Sequence, residues 1–364
     1  MRTLAPPKSL VARLILTIPL LVACISPSIA RAQLTTDQLY FGVGRRVVVH
    51  VGVPEGSFAE PSIKLFDAGS LETLSTAPAA KGRVDLASLF PMLWSDKPEQ
   101  VMLAQLYLDG VAHGAPLVIQ PLMTPNTAKR VDPTSLRVSE GENSVVMFHD
   151  ELRDARQAQG QEPDENDKQV FSGVRVDVKR EAVFQTSAGE IVFRLRPDAA
   201  PNTVFNFMHL IEGGFYTSII FHRVKAALDD GRPFVIQVGD PSGTGYGGPG
   251  YNIDLEDSSL PHDFGVLSMA RSADPNTNGS QVFVGLSREG TSFLDGRYTS
   301  FAQAVAGTDT ILKIAEAPVD ANDRPLDPPI LERAFLRDAP PIPDRITPIT
   351  RDDAGRFEKA QPDR

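Results

Sequence analysis

Residues 275–283 read PNTNGSQVF, and this stretch is the longest of six short motifs in the second half of the chain. The other five keep a fixed order around it: FHRV at 221–224, FVIQVGD at 234–240, GTG at 243–245, LSMAR at 267–271 and FLDG at 293–296. One such motif alone would be a weak signal, but six in order indicate a single structural unit. The chain around them has the composition of strands and loops.

The sequence flanking these motifs predicts one hairpin and two helices. Two apolar runs within 183–195 flank a Ser-Ala-Gly turn, which is typical of a β-hairpin. Apolar residues recur at helical spacing in 201–211, and Gly213-Gly214 suits a helix C-terminus. A second helix is predicted at 308–316, capped by Thr308 or Asp309. Two helices among many strands predict a barrel whose ends are closed by helices.

The remaining composition divides the chain into further segments. Residues 33–149 contain several short β-rich runs separated by Gly, Pro and Asp, which predicts a small β-sandwich-like N-terminal domain of unknown role. Residues 150–169 are almost wholly polar and predict either a solvated helix that runs into a loop or a linker, and the boundary segment is placed at 150–174. The denser unit is placed at 175–338. The Pro-rich, charged tail at 339–364 is predicted to be disordered.

Residues 1–32 have the pattern of a secretory signal peptide. Basic residues precede an apolar run too short to span a bilayer, and Ala30-Arg31-Ala32 forms an A-x-A cleavage site. The only cysteine, Cys24, follows Leu21-Val22-Ala23, which resembles a bacterial lipobox. Simple export and a lipid anchor on Cys24 are therefore both open. Either would place the protein in the periplasm or the cell envelope.

Composition and motif spacing exclude several classes of function. The chain has 364 residues with 36 Lys and Arg against 46 Asp and Glu, a net charge of −10, which argues against a duplex-DNA binder. A G-x-G-x-x-G string begins at Gly243, but Pro249 and Gly250 follow instead of a helix, which argues against nucleotide binding. The six histidines lack metal-ligand spacing, and no G-x-S-x-G motif is present. No cofactor or metal is expected.

Together the six motifs resemble the cyclophilin family of peptidyl-prolyl cis-trans isomerases. The resemblance covers roughly residues 180–320, less than half of the chain. It implies a mostly β domain built as an eight-stranded antiparallel β-barrel with a helix at each end. It also implies rotation about X-Pro bonds as the activity. Proline-containing unfolded or nascent exported polypeptides are the expected partners.

The resemblance also assigns the site residues. Arg223 is the expected catalytic residue, and a charged hydrogen bond from it would stabilise the prolyl nitrogen as the bond twists. Apolar side chains are expected to line the pocket for the proline ring, with Tyr298 at its edge. Gln237 and the backbone around Arg271 are expected to bind the substrate backbone. The substrate-binding set is Phe234, Val235, Gln237, Ala270, Arg271, Gln281, Phe283, Phe293, Leu294 and Tyr298.

Several positions depart from the family pattern. Phe293 stands where the best-known eukaryotic members have Trp, which implies weak sensitivity to cyclosporin. Tyr298 replaces the usual His, as in bacterial members. The segment 224–233 separates Arg223 from Phe234 by about six residues more than usual. It either bulges outward or lies over the site, and the sequence leaves both open.

The sequence is therefore consistent with two functions. The first is an exported isomerase. The alternative is a non-catalytic, cyclophilin-like peptide-binding or scaffold protein of the cell envelope, favoured by the inserted segment and by Val235 and Val238. The joint retention of Arg223, Phe234, Gln237 and Phe283 favours the enzyme, because a scaffold has no need of that set.

Overall fold

The computed structural model describes residues 32–95, 100–124, 128–139, 141–162 and 170–343. The apolar run and Cys24 of the predicted signal peptide lie outside the described residues, as does 344–364 of the predicted tail. Within the described residues, no helix is long and apolar enough to cross a membrane.

The N-terminal unit contains two antiparallel sheets that share one hydrophobic core. A three-stranded sheet has the order β1-β3-β6, and a six-stranded sheet has the order β2-β11-β8-β7-β4-β5. Alternate residues of both sheets enter the same cluster, including Leu34 and Val49 from the first and Leu65 and Ile119 from the second. The strands are β1 (Gln33–Thr35), β2 (Tyr40–Gly42), β3 (Val48–Gly52), β4 (Pro61–Asp67), β5 (Thr73–Pro78), β6 (Gly82–Asp85), β7 (Met102–Leu108), β8 (Val111–Leu122) and β11 (Gly173–Val178), and a short helix α1 (Leu86–Leu89) follows β6.

A separate arm is inserted between β8 and β11. It consists of the hairpin β9 (Ala128–Val131) and β10 (Val145–Phe148), followed directly by helix α2 (His149–Ala158). Val131, Leu136 and Leu152 form a small core of their own between the hairpin and the helix. Helix α2 thus bears out the helix alternative for 150–169, and with the first residues of β11 it occupies most of the described part of 150–174.

The two units are joined directly, without a linker between their strands. Strand β11 pairs with β8 and β2 of the N-terminal sheet, and Lys179 alone separates it from the first strand of the second unit. The predicted boundary between residues 174 and 175 therefore falls inside a strand. The polar side chains of β11 alternate with buried Val174 and Val176, and only the first two residues of the strand, 173 and 174, fall in the predicted linker.

The chain also returns to the N-terminal unit after its last strand. Ile342 is buried against the outer face of the six-stranded sheet, beside Leu103 and Tyr107, and its N–H donates to Gln105 Oε1 at 3.0 Å. Residues 339–343, which were predicted to be disordered, are held there by apolar burial.

The second unit is one nine-stranded antiparallel sheet with the order β14-β20-β12-β13-β19-β17-β18-β16-β15. Its two edge strands, β14 and β15, are separated in sequence by Phe221 and His222 only, so the sheet must curl back on itself. Residues 217–227 are thus divided into two strands, β14 and β15, and the sheet has nine strands where eight were expected. The strands are β12 (Arg180–Thr186), β13 (Gly189–Leu195), β14 (Thr217–Ile220), β15 (Arg223–Ala227), β16 (Pro233–Val238), β17 (Val266–Met269), β18 (Val282–Gly285), β19 (Ser300–Ala306) and β20 (Ile330–Asp338).

Both predicted helices of this unit are confirmed, as α3 (Pro201–Glu212) and α5 (Thr308–Ala315), and a short helix α4 (Arg288–Thr291) lies between them. Phe207 of α3 and Ile311 and Ile314 of α5 are fully buried in the core inside the curled sheet. The start of α5 differs from the expectation. Its N-cap is Gly307 at φ +98°, where a Cβ would lie 2.5 Å from the carbonyl oxygen of Glu190.

Candidate functional site

The centre of the candidate site is a row of side chains across three neighbouring strands. Arg223 of β15 lies opposite Gln237 of β16, and Gln237 lies opposite Phe283 of β18. Residues directly opposite each other in antiparallel strands project from the same face of a sheet. The intervening residues Ile236 and Val284 enter the core inside the sheet. Strand alternation therefore puts Arg223, Gln237 and Phe283 together on the outer face.

An apolar cluster distinct from the main core lies beside this row. Val235, Phe283 and Leu294 are buried in it, and Phe234, Ala270 and Tyr298 pack around them half-buried. All six were expected to bind substrate. The ring of Tyr298 meets Phe283 edge-to-face at 5.7 Å, which leaves an aromatic wall at the edge of the cluster.

The remaining predicted binding residues lie at the margins of this cluster. Phe293 stacks on Phe234 with ring centroids 5.9 Å apart and keeps 46% of its surface exposed. The Arg271 guanidinium lies 4.4 Å above the Tyr298 ring and donates to the Arg297 carbonyl oxygen at 2.8 Å. The structure therefore places Phe293 and Arg271 against residues of the apolar cluster.

Gln281 connects the row to the Gly-rich loop. Gln237 Nε2 donates to Gln281 Oε1 at 2.9 Å, and Gln281 Nε2 donates to the carbonyl oxygens of Gly245 and Gly247, both at 2.9 Å. These bonds hold the loop over one wall of a groove of about 600 Å³. Gln237, Ala270, Arg271 and Gln281 all line that groove.

Asp240 holds the same loop from below, a role that the sequence reading did not assign. Its buried carboxylate accepts from the Ser242 N–H and hydroxyl, both at 2.7 Å, and from the Gly245 N–H. Burial opposes ionisation of Asp240, but these hydrogen bonds outweigh it and hold its pKa below the usual value. His222 lies beneath Gly245, and burial lowers the pKa of its imidazole, which favours the neutral form. This agrees with a structural role for His222.

Asp323 is the ionic partner of Arg223. Arg223 Nη2 lies 3.5 Å from Asp323 Oδ2, and the two side chains are 39% and 29% exposed. The loop that carries Asp323 is fixed to β15, since the Val224 N–H donates to the Asp323 carbonyl oxygen at 2.7 Å. The guanidinium is therefore oriented from one side, while more than a third of its surface faces solvent.

A polar chain that runs from buried Ser268 and His262 to the more exposed Asp295 and Arg288 lies beneath the apolar cluster. His262 stacks on Phe283 at 5.9 Å, with Nδ1 2.9 Å from Asp295 Oδ1 and Nε2 2.7 Å from Ser268 Oγ. Arg288 pairs with Asp295 at 2.7 Å. Burial opposes ionisation of Asp295, but hydrogen bonds from Arg288 and His262 outweigh it and lower its pKa to about 2. This chain fixes the plane of the ring that lies next to Gln237.

The inserted segment after Arg223 lengthens the β15–β16 hairpin. Its turn is closed by the Leu228 N–H donating to the Arg232 carbonyl oxygen at 2.9 Å. Arg232 Nη1 donates to the Glu289 carbonyl oxygen at 2.7 Å, and Ser287 Oγ donates to the Pro233 carbonyl oxygen at 2.8 Å. The insertion is therefore an ordered hairpin tip docked on α4.

Sequence reasoning missed four residues that organise this site: Asp240, His262, Asp295 and Asp323. Asp240 and Asp295 do stand inside the motifs FVIQVGD and FLDG, which was the available signal. Asp323 lies 100 residues from Arg223 in a loop without a motif. The described residues contain no group of three or more His, Cys, Asp or Glu side chains suited to a metal ion.

The second unit is similar to a known family of proteins. The family model for cyclophilin type peptidyl-prolyl cis-trans isomerase/CLD matches residues 182–334. Peptidyl-prolyl cis-trans isomerase ppi1 of Schizosaccharomyces pombe is 42% identical over 150 residues, which cover 40% of this chain and 91% of that relative. The chain belongs to the cyclophilin family of peptidyl-prolyl cis-trans isomerases.

Another relative and one solved structure are similar to a comparable share of the chain. Peptidyl-prolyl cis-trans isomerase 9 of the same yeast is 42% identical over 152 residues, or 40% of this chain, but the match spans only 23% of that relative. A solved Cryptosporidium parvum cyclophilin, crystallised in the presence of dipeptide Ala-Pro, is 33% identical, with a TM-score of 0.40. The match covers 44% of this chain and 99% of that one. The family model begins after β11, so it leaves the N-terminal unit and its arm unmatched.

Proposed function

We propose that this cyclophilin accelerates rotation about X-Pro bonds in polypeptides, with Arg223 as the catalytic residue. One observation carries the proposal: Arg223, Gln237 and Phe283 form a continuous row beside an apolar cluster, on the outer face of the curled sheet. The row puts a fixed cation next to a pocket suited to a proline ring.

The chemistry requires stabilisation of a twisted amide. Conjugation gives the peptide C–N bond a rotational barrier of about 18–20 kcal/mol, and twisting returns a lone pair to the prolyl nitrogen. A guanidinium that donates to this nitrogen binds the twisted form more strongly than either planar isomer, and only such differential binding raises the rate. Arg223 suits this role because it stays charged and is oriented by Asp323.

The other residues bind the groups on the two sides of the X-Pro bond at separate places. The proline ring fits against Phe283, Val235 and Leu294, while the groove beside Gln237 and Arg271 accommodates the chain that precedes it. Holding the ring while the preceding carbonyl swings restricts the motion to the rotating bond. A charge-assisted hydrogen bond is worth roughly 1.5–3 kcal/mol, so Arg223 supplies about ten- to a hundredfold or somewhat more of the acceleration.

The test uses the full chain, because β11 and Ile342 join the two units. Exchange between the cis and trans forms of an Ala-Pro peptide is measured by NMR for the unmodified protein, Arg223→Lys and Arg194→Lys. Arg194 is an exposed control on β13, with four strands between β13 and β15 in sheet order. We expect rapid exchange that falls at least tenfold in Arg223→Lys, because Lys keeps the charge but lacks the planar fork. Equal exchange in all three proteins would contradict the assignment of Arg223.

The same measurement separates the enzyme from the scaffold alternative. A cyclophilin-like peptide-binding protein would bind the Ala-Pro peptide, which line broadening or calorimetry detects, without accelerating its exchange. Retention of Arg223 in an oriented, half-exposed position supports the enzyme.

We further propose that the protein acts in the cell envelope of a bacterium on proline-containing exported or unfolded polypeptides. Support comes from residues 1–32, with their basic start, apolar run and A-x-A site. Mass spectrometry of the mature N-terminus tests this. A chain that begins at Gln33 indicates export, and a lipid on Cys24 indicates an anchored lipoprotein. A chain that keeps residues 1–32 intact would contradict both.

A further inference from the structure

The arm of the N-terminal unit reaches the rim of the site. A cavity of about 250 Å³ lies between the arm and the isomerase unit. Phe148 and Glu151 line it from the arm, while Leu255, Asp257 and Tyr298 are on the opposite side. Tyr298 also meets Phe283 edge-to-face in the apolar cluster. The cavity and the proposed proline pocket therefore share one side chain as a common wall.

The arm holds its two cavity residues in fixed positions. Phe148 is the N-cap of α2, and its N–H donates to Glu151 Oε2 at 2.9 Å. The helix is tied to the loop after β9, because Arg156 Nη2 donates to the Leu136 carbonyl oxygen at 2.9 Å. Leu152 is fully buried in the small core of the arm. Phe148 and Glu151 are thus presented by a packed element.

The opposite wall is equally well held. The Leu255 N–H donates to Asn276 Oδ1, and the Glu256 N–H donates to Thr299 Oγ1, both at 3.0 Å. The Glu256 carboxylate points the other way and caps α3, accepting from the Thr203 N–H at 2.8 Å. Burial raises the pKa of Glu256, and these hydrogen bonds counter that effect. Asp257 beside it is exposed at the cavity.

We propose that this cavity is an additional substrate subsite that takes a Lys or Arg side chain near the proline being isomerised. The occupant follows from the lining and from continuity with the proposed pocket. The rings of Phe148 and Tyr298 and the Leu255 side chain suit an apolar stem, and the carboxylates of Glu151 and Asp257 suit a cationic head. Clefts between structural units are common ligand sites. The proposal rests on the proposed function, since it extends the same binding groove.

The experiment measures kcat/KM by NMR exchange on a peptide series. Each peptide has Ala-Pro at its centre and one Lys, moved through the three positions on either side; an all-Ala peptide and a Glu series are the references. The full chain should prefer Lys over Ala at one position by about two- to fivefold, the usual range for a partly exposed charge pair. The preference should shrink in 1 M salt, where the screening length is about 3 Å.

Two variants assign that preference to the cavity. Glu151→Gln removes one charge but keeps the side-chain bond to the Phe148 N–H, because Gln also forms a capping box. Phe148→Ala removes one aromatic wall. Both should abolish the Lys preference and leave kcat/KM on the all-Ala peptide unchanged. Glu142→Gln is the matched control, since Glu142 is exposed on the same arm and does not line the cavity.

The outcomes distinguish the inference from the proposed function. A Lys preference that is absent at every position, or that survives in both Glu151→Gln and Phe148→Ala, would overturn the subsite. Should the unmodified chain isomerise none of the peptides, the proposed function fails. Calorimetry of Lys and Ala peptides with the same proteins then decides the subsite, because a binding difference dependent on Glu151 requires no turnover.

Discussion

Replacing Gln281 by Glu tests whether hydrogen bonds organise the groove, because the substitution keeps the shape of the side chain. Gln281 accepts from Gln237 at 2.9 Å and donates to the Gly245 and Gly247 carbonyl oxygens, both at 2.9 Å. A carboxylate still accepts from Gln237. It donates to neither carbonyl and places a negative charge against both oxygens.

The expected size follows from the two lost bonds. Each is worth about 0.5–1.5 kcal/mol, so the loss is about 1–3 kcal/mol before repulsion is added. Where this cost falls on the bound transition state, kcat/KM drops about 5- to 160-fold. Water reaches the half-exposed loop and replaces part of the bonding when no substrate is bound, so the folded state should persist at the assay temperature.

The assay compares exchange of the Ala-Pro peptide at pH 8 and pH 5 for Gln281→Glu and the unmodified chain. Glu has an ordinary pKa of about 4.3, and the two facing carbonyl oxygens raise it. Protonation at pH 5 restores one donor, so the ratio of variant to unmodified activity should rise as the pH falls. A deficit below twofold at pH 8, or a deficit equal at both pH values, would show that the two hydrogen bonds from Gln281 do not organise the groove.

Three further predictions concern orientation, the unit boundary and packing. Asp323→Asn should lower kcat up to about fivefold with unchanged KM, since a partly exposed pair with Arg223 is worth at most about 1 kcal/mol; unchanged kcat would make the pair a mere surface contact. Burial at the unit boundary raises the pKa of Asp177 to about 6, so the folded protein loses stability as pH rises from about 4 to 6. The gain in melting temperature of Asp177→Asn over the unmodified chain should therefore grow as the pH rises from 4 to 7. An equal gain at both pH values would contradict this role of Asp177. Gly290→Ala places a Cβ 1.8 Å from the first carbonyl oxygen of β16 and should lower the melting temperature by several degrees, whereas Gly248→Ala, which meets nothing within 4 Å, should not.

Local sequence patterns were sufficient for the face that carries the site. The motif FVIQVGD alternates, so Val235 and Gln237 face outward while Ile236 and Val238 enter the core. Helix α3 was equally visible from its apolar spacing and the glycines that follow. These features depend on neighbours within a few residues, which a sequence pattern records directly.

The features that the sequence did not predict depend on contacts between residues far apart in the chain. In strand β11, Arg175 and Asp177 alternate with three valines, and the membership of this strand in the N-terminal sheet depends on β8, some fifty residues earlier. Ile342 packs on that sheet through a contact that no local pattern records. The arm residues Phe148 and Glu151 reach the cavity for the same reason, since tertiary packing decides where a hairpin and helix are placed.

Exchange and binding of one Ala-Pro peptide, measured on the same sample of Arg223→Ala, separate the catalytic role of Arg223 from a role in substrate binding. We predict that cis–trans exchange falls at least tenfold while the dissociation constant changes less than threefold, because the apolar cluster around Phe283 still holds the proline ring. Exchange equal to that of the unmodified chain would contradict the claim that the Arg223 guanidinium stabilises the twisted bond.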